Sequence, residues 1–487
     1  MKPIPLTILH SNDMHGDFLA ELRSGERSLT GGLSLLSGYI NDVRKAEQHV
    51  LYVIAGDMLQ GSIIDTEYRG VSTIEIMNYL APDVVTLGNH EFDYGLPHML
   101  FLEKVANFPI VNANLYVRKY NKRLMRPYQI VKKAGLDILF IGIITEKVMA
   151  GIANDSQVAS FISLEEASAE VGRITNAYKK DDIDLTVLLT HIGFESDVEL
   201  ARMLQPEWGV DLIIGGHSHT VLDKPEVVNN VIIAQAGVGT DQIGRFDIVI
   251  DDDTNSIIDY RWQLVPINDQ IAKPDPGLEA FIDSFKEVVD RKYNTIVTKF
   301  AQTLVHPMRE VETPLGNVVA DALAWGAQSD VMLQGSGAIR FKQLGPVVTL
   351  GELRACFPYD EPLTRYTVTG EQLRRMFSHC MRPENRDGEG ECYQVNRGVK
   401  AVYRNDEKRL EELWVKGAPV DDAARYTVCL SAYHEKNAQA FLNVSVDEMV
   451  AVGPRKVVTT SLRDVLEEYL RTYQNLNAEV EGRLVYL

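Results

Sequence analysis

The chain has 487 residues, of which 45% are hydrophobic and 8% aromatic, a composition typical of a folded protein and not of a disordered one. At ~150 residues per domain, this length predicts two or three domains. Its 49 basic and 68 acidic residues give a formal charge of −19. That charge argues against a protein that binds nucleic acid or anionic membranes without sequence preference, because both activities need a basic face.

The start of the sequence and the cysteines favour a cytoplasmic protein. Met1–Leu9 contains two prolines and one charge, and it runs into a polar turn without the small-residue site at which a signal peptide is cleaved. The apolar run 138–144 is far too short to span a membrane. The four cysteines lie in the C-terminal part without a CxxC pair, so we expect reduced thiols.

Residues 5–250 alternate short apolar runs with amphipathic helical stretches, which predicts an α/β fold. The runs are 6–9, 50–55, 84–87, 110–113, 138–144, 185–190, 212–214 and 231–236. Five of them end in a polar turn that contains His, Asp or Asn. Open α/β sheets bind ligands at the carboxyl ends of their strands, so these turns are the first place to look for a site.

The polar turns carry a characteristic set of side chains. The stretch Leu87–Gly95 contains Asn89, His90 and, three residues on, Asp93, which can accept the second N–H of the imidazole. The other turns supply Asp13 and His15, Asp57, His191, and His217 with His219. Because Asp13 and His15 are two residues apart, an extended segment would point both side chains the same way.

These donors predict a site for two metal ions. Without His90, the set comprises two Asp, one Asn and four His, about the number that two cations need when they share one carboxylate, and Asp57 is the natural bridge. Oxygen and nitrogen donors without a thiolate favour Zn²⁺, Mn²⁺ or a similar divalent ion. A single Asp after a strand is often only a helix cap, but capping does not require five of the eleven histidines to lie at strand ends.

The second half of the chain begins after a proline-containing connector with one helical stretch, 278–289. We therefore predict domains at 1–267 and 299–487, with a linker and helix at 268–298. The later part contains a helix near 313–323, a glycine-rich turn before Arg340, and a Pro-Tyr pair at Tyr359. By itself this turn is equally consistent with a phosphate contact or with a surface loop. The charged segment 382–391 is typical of a solvated loop.

The ordered motifs Asn12–Gly16, Gly56-Asp57, Gly88–Gly95, Thr190-His191 and Gly216–His219 resemble those of the calcineurin-like metallophosphoesterases. The chain is most similar to the branch that includes 5′-nucleotidases and UDP-sugar hydrolases. The resemblance implies a four-layer α/β/β/α sandwich followed by a smaller α/β (α+β) domain. It also implies that Asp13, His15 and His219 hold one metal, that Asn89, His191 and His217 hold the other, and that Asp57 holds both. His90, oriented by Asp93, would be the catalytic pair.

The resemblance extends to the second domain, which in this family binds the nucleoside and stacks its base between two aromatic rings. By position these rings would be Tyr359 and Tyr433, while Arg340 and Arg309 would contact the substrate. Two departures fall on nucleoside contacts. Gly335 stands where the family commonly has Asn, and Glu435–Phe441 replaces a Gly-Gly-Asp-Gly-Phe stretch. Hydrolysis is therefore predicted more firmly than the substrate.

The predicted function is release of phosphate from nucleoside 5′-monophosphates by attack of metal-bound hydroxide. The partner is thus a small nucleotide; no nucleic-acid or membrane partner is expected, and the sequence leaves the oligomeric state open. Alternatives within the family are a cyclic-nucleotide phosphodiesterase, a UDP-sugar or dinucleotide pyrophosphatase, and a hydrolase of a sulfur-containing substrate. An alternative from another class is a non-catalytic nucleotide-binding sensor.

Overall fold

The computed structural model describes residues 3–22, 28–117, 119–144, 159–178, 180–386 and 391–487. The chain forms two compact units, Met1–Val289 and Asp290–Leu487. The division falls inside the segment 268–298 that the sequence predicts as a linker. The strand Ile296–Lys299 from the end of that segment pairs with Val347–Thr349 of the second unit. The predicted domain bounds stay a prediction.

The described strands of the first unit are β1 (Pro3–Ser11), β2 (Glu21–Leu22), β3 (Leu29–Thr30), β4 (Val50–Ala55), β5 (Val84–Thr86), β6 (Ile110–Val111), β7 (Leu115–Val117), β8 (Lys122–Arg123), β9 (Tyr128–Lys133), β10 (Leu136–Ile144), β11 (Ala159–Phe161), β12 (Leu185–His191), β13 (Leu212–Ile214), β14 (Glu226–Val228), β15 (Val231–Ala234), β16 (Gln242–Asp251) and β17 (Ser256–Pro266). Its described helices are α1 (Leu33–Ala46), α2 (Ile63–Glu67), α3 (Val71–Leu80), α4 (Leu96–Val105), α5 (Leu164–Ala177), α6 (Phe194–Met203) and α7 (Pro276–Tyr293), which continues into the second unit.

Two six-stranded sheets form the centre of the first unit. Their strand orders are β17-β16-β1-β4-β5-β6 and β14-β15-β13-β12-β10-β9. Alternate residues of the central strands, such as Leu51 and Val53 of β4 and Val187 and Leu189 of β12, lie in one shared apolar core. Burial of successive residues on both faces explains why these runs are continuously hydrophobic instead of alternating.

Helices cover the outer faces of the two sheets. Helix α1 contacts β4 and buries Leu33, Leu36 and Ile40. On the other side, α5 and α6 pack against β10, β12 and β13 in a second apolar cluster. The predicted α/β/β/α sandwich is confirmed.

The topology gathers the functional loops at one edge of the two sheets. Strands β1, β4, β5 and β6 run parallel in one sheet, and β10, β12, β13 and β15 run parallel in the other. Each of the five predicted polar turns follows the carboxyl end of one of these strands: β1, β4, β5, β12 or β13.

The second unit is the smaller one. Its described strands are β18 (Ile296–Lys299), β19 (Leu304–Val305), β20 (Val331–Gly335), β21 (Gln343–Leu344), β22 (Val347–Thr349), β23 (Leu363–Thr369), β24 (Tyr393–Val395), β25 (Val399–Arg404), β26 (Arg409–Val415), β27 (Ala418–Pro419), β28 (Arg425–Ser431), β29 (Lys456–Thr459) and β30 (Leu484–Tyr486). Its helices are α8 (Pro314–Ala327), α9 (Leu350–Cys356), α10 (Gly370–Cys380), α11 (Pro383–Arg386), α12 (Ala432–Lys436), α13 (Ala438–Leu442), α14 (Val446–Val452) and α15 (Leu462–Thr472).

A mixed sheet, β24-β20-β28-β23-β29, organises this unit. Helix α8 begins where the sequence predicts a helix, because the Thr313 hydroxyl accepts the Gly316 N–H and Pro314 fits the first helical turn. The loop predicted at 382–391 is partly helical, since Pro383–Arg386 forms α11; its residues 387–390 lie outside the described residues.

The sequence predicts no membrane span and reduced cysteines. Throughout the described residues, helices that combine the length and the apolar character needed to cross a bilayer are absent. The four cysteines are free and buried.

Candidate functional site

The loop after β1 forms the polar turn that the sequence predicts, and its backbone is not extended at Asp13 and His15. Asp13 and His15 have φ angles of 52° and 49°, in the left-handed region that residues with a side chain rarely occupy. The two side chains therefore reach one site from a left-handed turn and not from the extended segment that would point both the same way. The backbone strain is held by hydrogen bonds from the N–H groups of Asp13 and His15 to the carbonyls of Gly56 and Asp57.

The loop after β4 brings Asp57 to the same place. Asp57 also has a positive φ, 54°, and its carboxylate accepts the backbone N–H of His90 at 2.9 Å. Glycine is required beside it, because a Cβ on Gly88 would lie 2.2 Å from Oδ1 of Asp57. The two loops thus approach more closely than any larger residue at position 88 permits.

One group of donors comprises Asp13, His15 and His219. Nε2 of His219 lies 3.4 Å from Oδ1 of Asp13, and the Nε2 atoms of His15 and His219 are 3.2 Å apart. Nε2 of His15 is also 3.9 Å from Oδ2 of Asp57. The group is therefore linked to the Asp57 carboxylate.

The second group comprises Asp57, Asn89, His191 and His217. Nε2 of His191 lies 3.1 Å from Oδ2 of Asp57 and 3.2 Å from Oδ1 of Asn89. Nδ1 of His217 is 3.1 Å from the same Asn89 oxygen. Asp57 stands between the two groups, since Nε2 of His15 and Nε2 of His191 both approach its Oδ2.

The donor set suits two divalent cations. In each group three ligand atoms lie within 4.8 Å of one another, and they are imidazole nitrogens and carboxylate oxygens. Two imidazole nitrogens at 3.2 Å with a carboxylate beside them bring lone pairs together, an arrangement that a shared cation would stabilise. The structure thus brings together all seven residues predicted as ligands, while the assignment of each to one metal stays a prediction.

The buried charged groups of this site shift one another's pKa values. Burial lowers the pKa of His191, but the carboxylates of Asp57 and Asp13 outweigh burial and raise it to about 9. Burial raises the pKa of Asp57, yet the charge of His191 and its hydrogen bond hold that pKa below its usual range. A divalent cation held by these residues would supply the positive charge that the carboxylates favour at this position.

His90 and Asp93 form the pair that the sequence predicts. Nδ1 of His90 lies 2.7 Å from Oδ2 of Asp93, and a ring nitrogen of His90 belongs to a cluster with His15 and Asp57. The hydrogen bond to Asp93 raises the pKa of His90 despite partial burial. His90 therefore loses its proton at a higher pH than an isolated histidine does.

Glu91 is a residue whose role the sequence did not reveal. It is buried, and its carboxylate accepts the backbone N–H groups of Asp57, Met58, Leu59 and Gly88 at 2.6–3.3 Å. Burial and the charge of Asp57 raise the pKa of Glu91. The signal was present, since Glu91 lies inside the Gly88–Gly95 motif, but spacing alone does not distinguish a ligand from a group that anchors loops.

The second unit contains a cavity of about 370 Å³, within the size range of small-molecule sites. The four residues predicted to bind substrate all line it: Arg309, Arg340, Tyr359 and Tyr433. Both tyrosines are about half exposed, and the guanidinium of Arg340 lies 5.8 Å from the centre of the Tyr359 ring. Sequence reasoning missed other lining residues, among them Gln334, Glu361, Glu391 and His434.

Two family models match the chain. The calcineurin-like phosphoesterase model matches residues 6–221, and the 5′-nucleotidase C-terminal domain model matches residues 294–444. The chain belongs to the calcineurin-like phosphoesterases that carry a 5′-nucleotidase C-terminal domain. The first match contains all seven predicted ligands, and the second contains the four cavity residues predicted from the sequence.

Named relatives agree with this membership. The phosphoesterase is 28% identical to 5′-nucleotidase of Bos taurus over all of this chain and 91% of that protein. It is also 28% identical to the trifunctional nucleotide phosphoesterase protein YfkN of Bacillus subtilis (strain 168), over 83% of this chain and 29% of that much longer protein. The crystal structure of a 5′-nucleotidase precursor from Thermus thermophilus has the same fold, with a TM-score of 0.62, 24% identity and 99% coverage of both chains.

The phosphoesterase is therefore a metal-dependent nucleotide phosphohydrolase whose second part matches the 5′-nucleotidase C-terminal domain. Its donor set fits divalent cations, as the family implies.

Proposed function

We propose that this phosphohydrolase is a 5′-nucleotidase that releases phosphate from nucleoside 5′-monophosphates. The observation that carries the proposal is that one chain contains both a cluster of seven nitrogen and oxygen ligands and a cavity with two half-exposed tyrosines and two arginines. A flat base offers a π face on which tyrosine rings stack, so these rings suit a nucleoside. The nitrogen and oxygen donors favour Zn²⁺ or Mn²⁺ as the resident ions.

Asp13, His15 and His219 would hold one ion, Asn89, His191 and His217 the other, and Asp57 both. When bound, the ions supply positive charge for the phosphate and lower the pKa of a water molecule. The hydrogen bonds around Asp57, from His90 N–H to its carboxylate and from its own N–H to Glu91, keep this carboxylate in place. Preorganised ligands of this kind need no rearrangement when the substrate enters.

His90 is the side chain that we place in the reaction in addition to the metal ligands. Asp93 fixes the ring through Nδ1, and this hydrogen bond raises the pKa of the imidazole. In its protonated form the ring would meet the negative charge that develops on the phosphate oxygens, and it could deliver a proton to the leaving oxygen.

The test is metal analysis of the purified protein combined with phosphate release from a substrate panel. The panel contains nucleoside 5′-monophosphates, cyclic nucleotides, UDP-sugars and dinucleotides, and Asp57→Asn serves as the control for contaminating phosphatases. We expect about two divalent ions per chain and the highest kcat/KM for a nucleoside 5′-monophosphate.

Each alternative function predicts a different result in this panel. Preference for cyclic nucleotides would establish a phosphodiesterase, and preference for UDP-sugars or dinucleotides a pyrophosphatase. A protein that binds nucleotides and two ions but hydrolyses no member of the panel would be a sensor. A cytoplasmic location and the lack of nucleic-acid or membrane partners stay predictions.

A further inference from the structure

Two residues that line the second-unit cavity, His434 and Glu391, lie against Gly335 and occupy the space that a side chain at position 335 would need. Gly335 ends β20, and a Cβ placed on it would lie 2.2 Å from Cε1 and 2.4 Å from Nε2 of His434. The same Cβ would lie 3.0 Å from Oε1 of Glu391. A side chain at position 335 is therefore incompatible with the present positions of the imidazole and the carboxylate.

His434 is held firmly in the space above Gly335. It is buried, and its Nδ1 lies 3.0 Å from the hydroxyl oxygen of Ser431. Its ring packs against the rings of Tyr393 and Tyr433, with centroids 5.1 and 5.2 Å away. Such packing fixes the direction in which the second nitrogen points.

Nε2 of His434 faces the Glu391 carboxylate. Within the described part of the chain this atom is buried and makes no hydrogen bond, and Oε1 of Glu391 lies 3.6 Å away. A nitrogen next to a carboxylate oxygen is stabilised when it carries the proton, so His434 presents N–H to Glu391. The attraction holds Glu391 against the cavity wall.

One acceptor in the same wall lacks a donor among the described residues. Oε1 of Gln334 is buried and without a hydrogen bond among the described residues, and Gln334 lines the cavity together with Glu391 and Tyr433. A buried acceptor that lacks a donor costs free energy until a donor reaches it. The Glu391 carboxylate lines the same cavity and has only acceptor oxygens, so the wall suits a ligand edge that carries N–H groups.

We propose that Glu391 selects the base of the substrate and that His434 is the positioning residue that holds it. This inference rests on the proposed nucleotidase function and specifies its substrate. A carboxylate has two oxygens that accept and none that donate, so it pairs best with two adjacent N–H donors. Guanine presents such a pair, the ring N1–H and the exocyclic amine, whereas adenine presents an amine beside a ring acceptor. The favoured substrate is a guanosine 5′-monophosphate.

The kinetic test compares guanosine and adenosine 5′-monophosphates with the native enzyme and with Glu391→Gln. The amide replaces one acceptor by a donor that opposes the guanine N–H groups. We expect kcat/KM for the guanine nucleotide to fall by about tenfold or more, the usual discrimination of a paired base edge, and the adenine value to change by much less. Equal kcat/KM for the two nucleotides with the native enzyme, or an unchanged ratio in Glu391→Gln, would overturn the proposal.

Glu361→Gln is the matched control. Glu361 lines the same cavity and also carries one negative charge, but its carboxylate accepts the backbone N–H of Tyr433 at 3.1 Å. Loss of this charge should change kcat/KM for both nucleotides by the same factor. A loss of selectivity in Glu361→Gln equal to that in Glu391→Gln would show that net charge, and not the position of Glu391, sets the preference.

The role of His434 has its own readout. In His434→Leu we expect the KM for the guanine nucleotide to rise by a larger factor than the KM for the adenine nucleotide, because the ring packs against Tyr433 and also faces Glu391. A merely structural role would raise both KM values by the same factor, and that result would remove His434 from base selection.

Binding of guanosine and adenosine to the metal-loaded protein, measured by calorimetry, separates this inference from the proposed function. Nucleosides carry no phosphate, so their binding does not depend on hydrolysis. Tighter binding of guanosine without phosphate release from any nucleotide would reject the nucleotidase and retain base selection. Phosphate release with equal binding of both nucleosides would do the reverse.

Discussion

In the first unit the ligand side chains project from short loops whose backbone is held by other buried groups, whereas the cavity of the second unit is lined by side chains from separate elements. Asp13 and Asp57 are buried, and both accept backbone N–H groups. Tyr359 and Tyr433 are half exposed. The metal centre is thus preorganised by the fold, while the cavity retains an acceptor, Oε1 of Gln334, that the described residues do not satisfy.

The difference indicates that the metal centre of the first unit carries the chemistry of this enzyme and that the cavity of the second unit carries its selectivity. A metal site tolerates little displacement of its ligands, so its residues come in compact motifs at strand ends. A base pocket requires only shape and a few polar atoms, so equivalent solutions can use different residues. Substitutions in the two regions test this difference, and the largest effect is expected at the metal centre.

Asp57→Asn should have the largest effect. The substitution removes the carboxylate that approaches donors of both groups, so both ions should be lost or weakened, and activity should fall by more than the roughly 100-fold typical when only an outer partner is removed. Metal content by mass spectrometry and phosphate release measure the two effects. Asp83→Asn is the control, because Asp83 accepts the Tyr52 N–H outside the metal site. Full metal content with near-native kcat would refute the bridging role.

His90→Ala should separate chemistry from metal binding. Removal of a positioned proton donor lowers kcat by about 10²–10⁴-fold, and we expect the metal content to remain native. Asp93→Asn, which keeps the ring but weakens its orientation, should lose about 10–100-fold. A substrate with a good leaving group should reduce the loss in His90→Ala if the imidazole protonates the leaving oxygen, and leave it unchanged if it only stabilises charge. An unchanged kcat would exclude His90 from the reaction.

Tyr433→Ala and Tyr359→Ala should affect nucleotides alone. Each stacked base contributes about 1–3 kcal/mol, so KM for a nucleoside monophosphate should rise by about 5- to 150-fold. Hydrolysis of p-nitrophenyl phosphate, which has no base, should not change. Tyr473→Ala, at a partly exposed tyrosine that packs on Tyr469, is the control within the same unit. Equal losses for both substrates would contradict a nucleoside site.

The smallest effect concerns the scaffold of the metal centre. His10 of β1 stacks on Trp262, and burial lowers its pKa to about 3. Because the folded pKa lies below the unfolded value near 6.5, the neutral ring's contribution to stability is complete above pH 6.5 and is lost as pH falls toward 3. Between pH 6.5 and pH 5 the loss is about 2 kcal/mol.

Urea unfolding at pH 7 and pH 5 measures this effect. In His10→Leu, whose side chain does not titrate, the decrease in the free energy of unfolding between the two pH values should be smaller by that amount. The same pH dependence in both proteins would show that other groups are responsible.

The fold and the metal ligands could be read from the sequence for a physical reason. Strands such as Val50–Ala55 are buried on both faces, which leaves continuous apolar runs, and five of these runs lead into the turns that carry the ligands. The left-handed backbone of Asp13 and His15 could not be foreseen, because it depends on hydrogen bonds to the loop after β4.

The cavity was harder to predict. Tyr359 and Tyr433 were placed by resemblance, but His434 and Glu391 act through contacts with Gly335, which lies about 56–99 positions away along the chain. No periodicity or local spacing connects such residues. The glycine at position 335 was visible as a departure from the family, while the groups that fill its space were not.

Glu91 connects the two loops that carry Asp57 and Asn89 in the metal centre. One carboxylate accepts N–H groups from the Asp57 loop and from Gly88, next to Asn89, so it ties two ligand loops to each other. Local opening of either loop would break contacts of the other. The two cations should therefore leave the protein cooperatively during chelation, in one step and not in sequence, and Glu91→Gln should make their release stepwise.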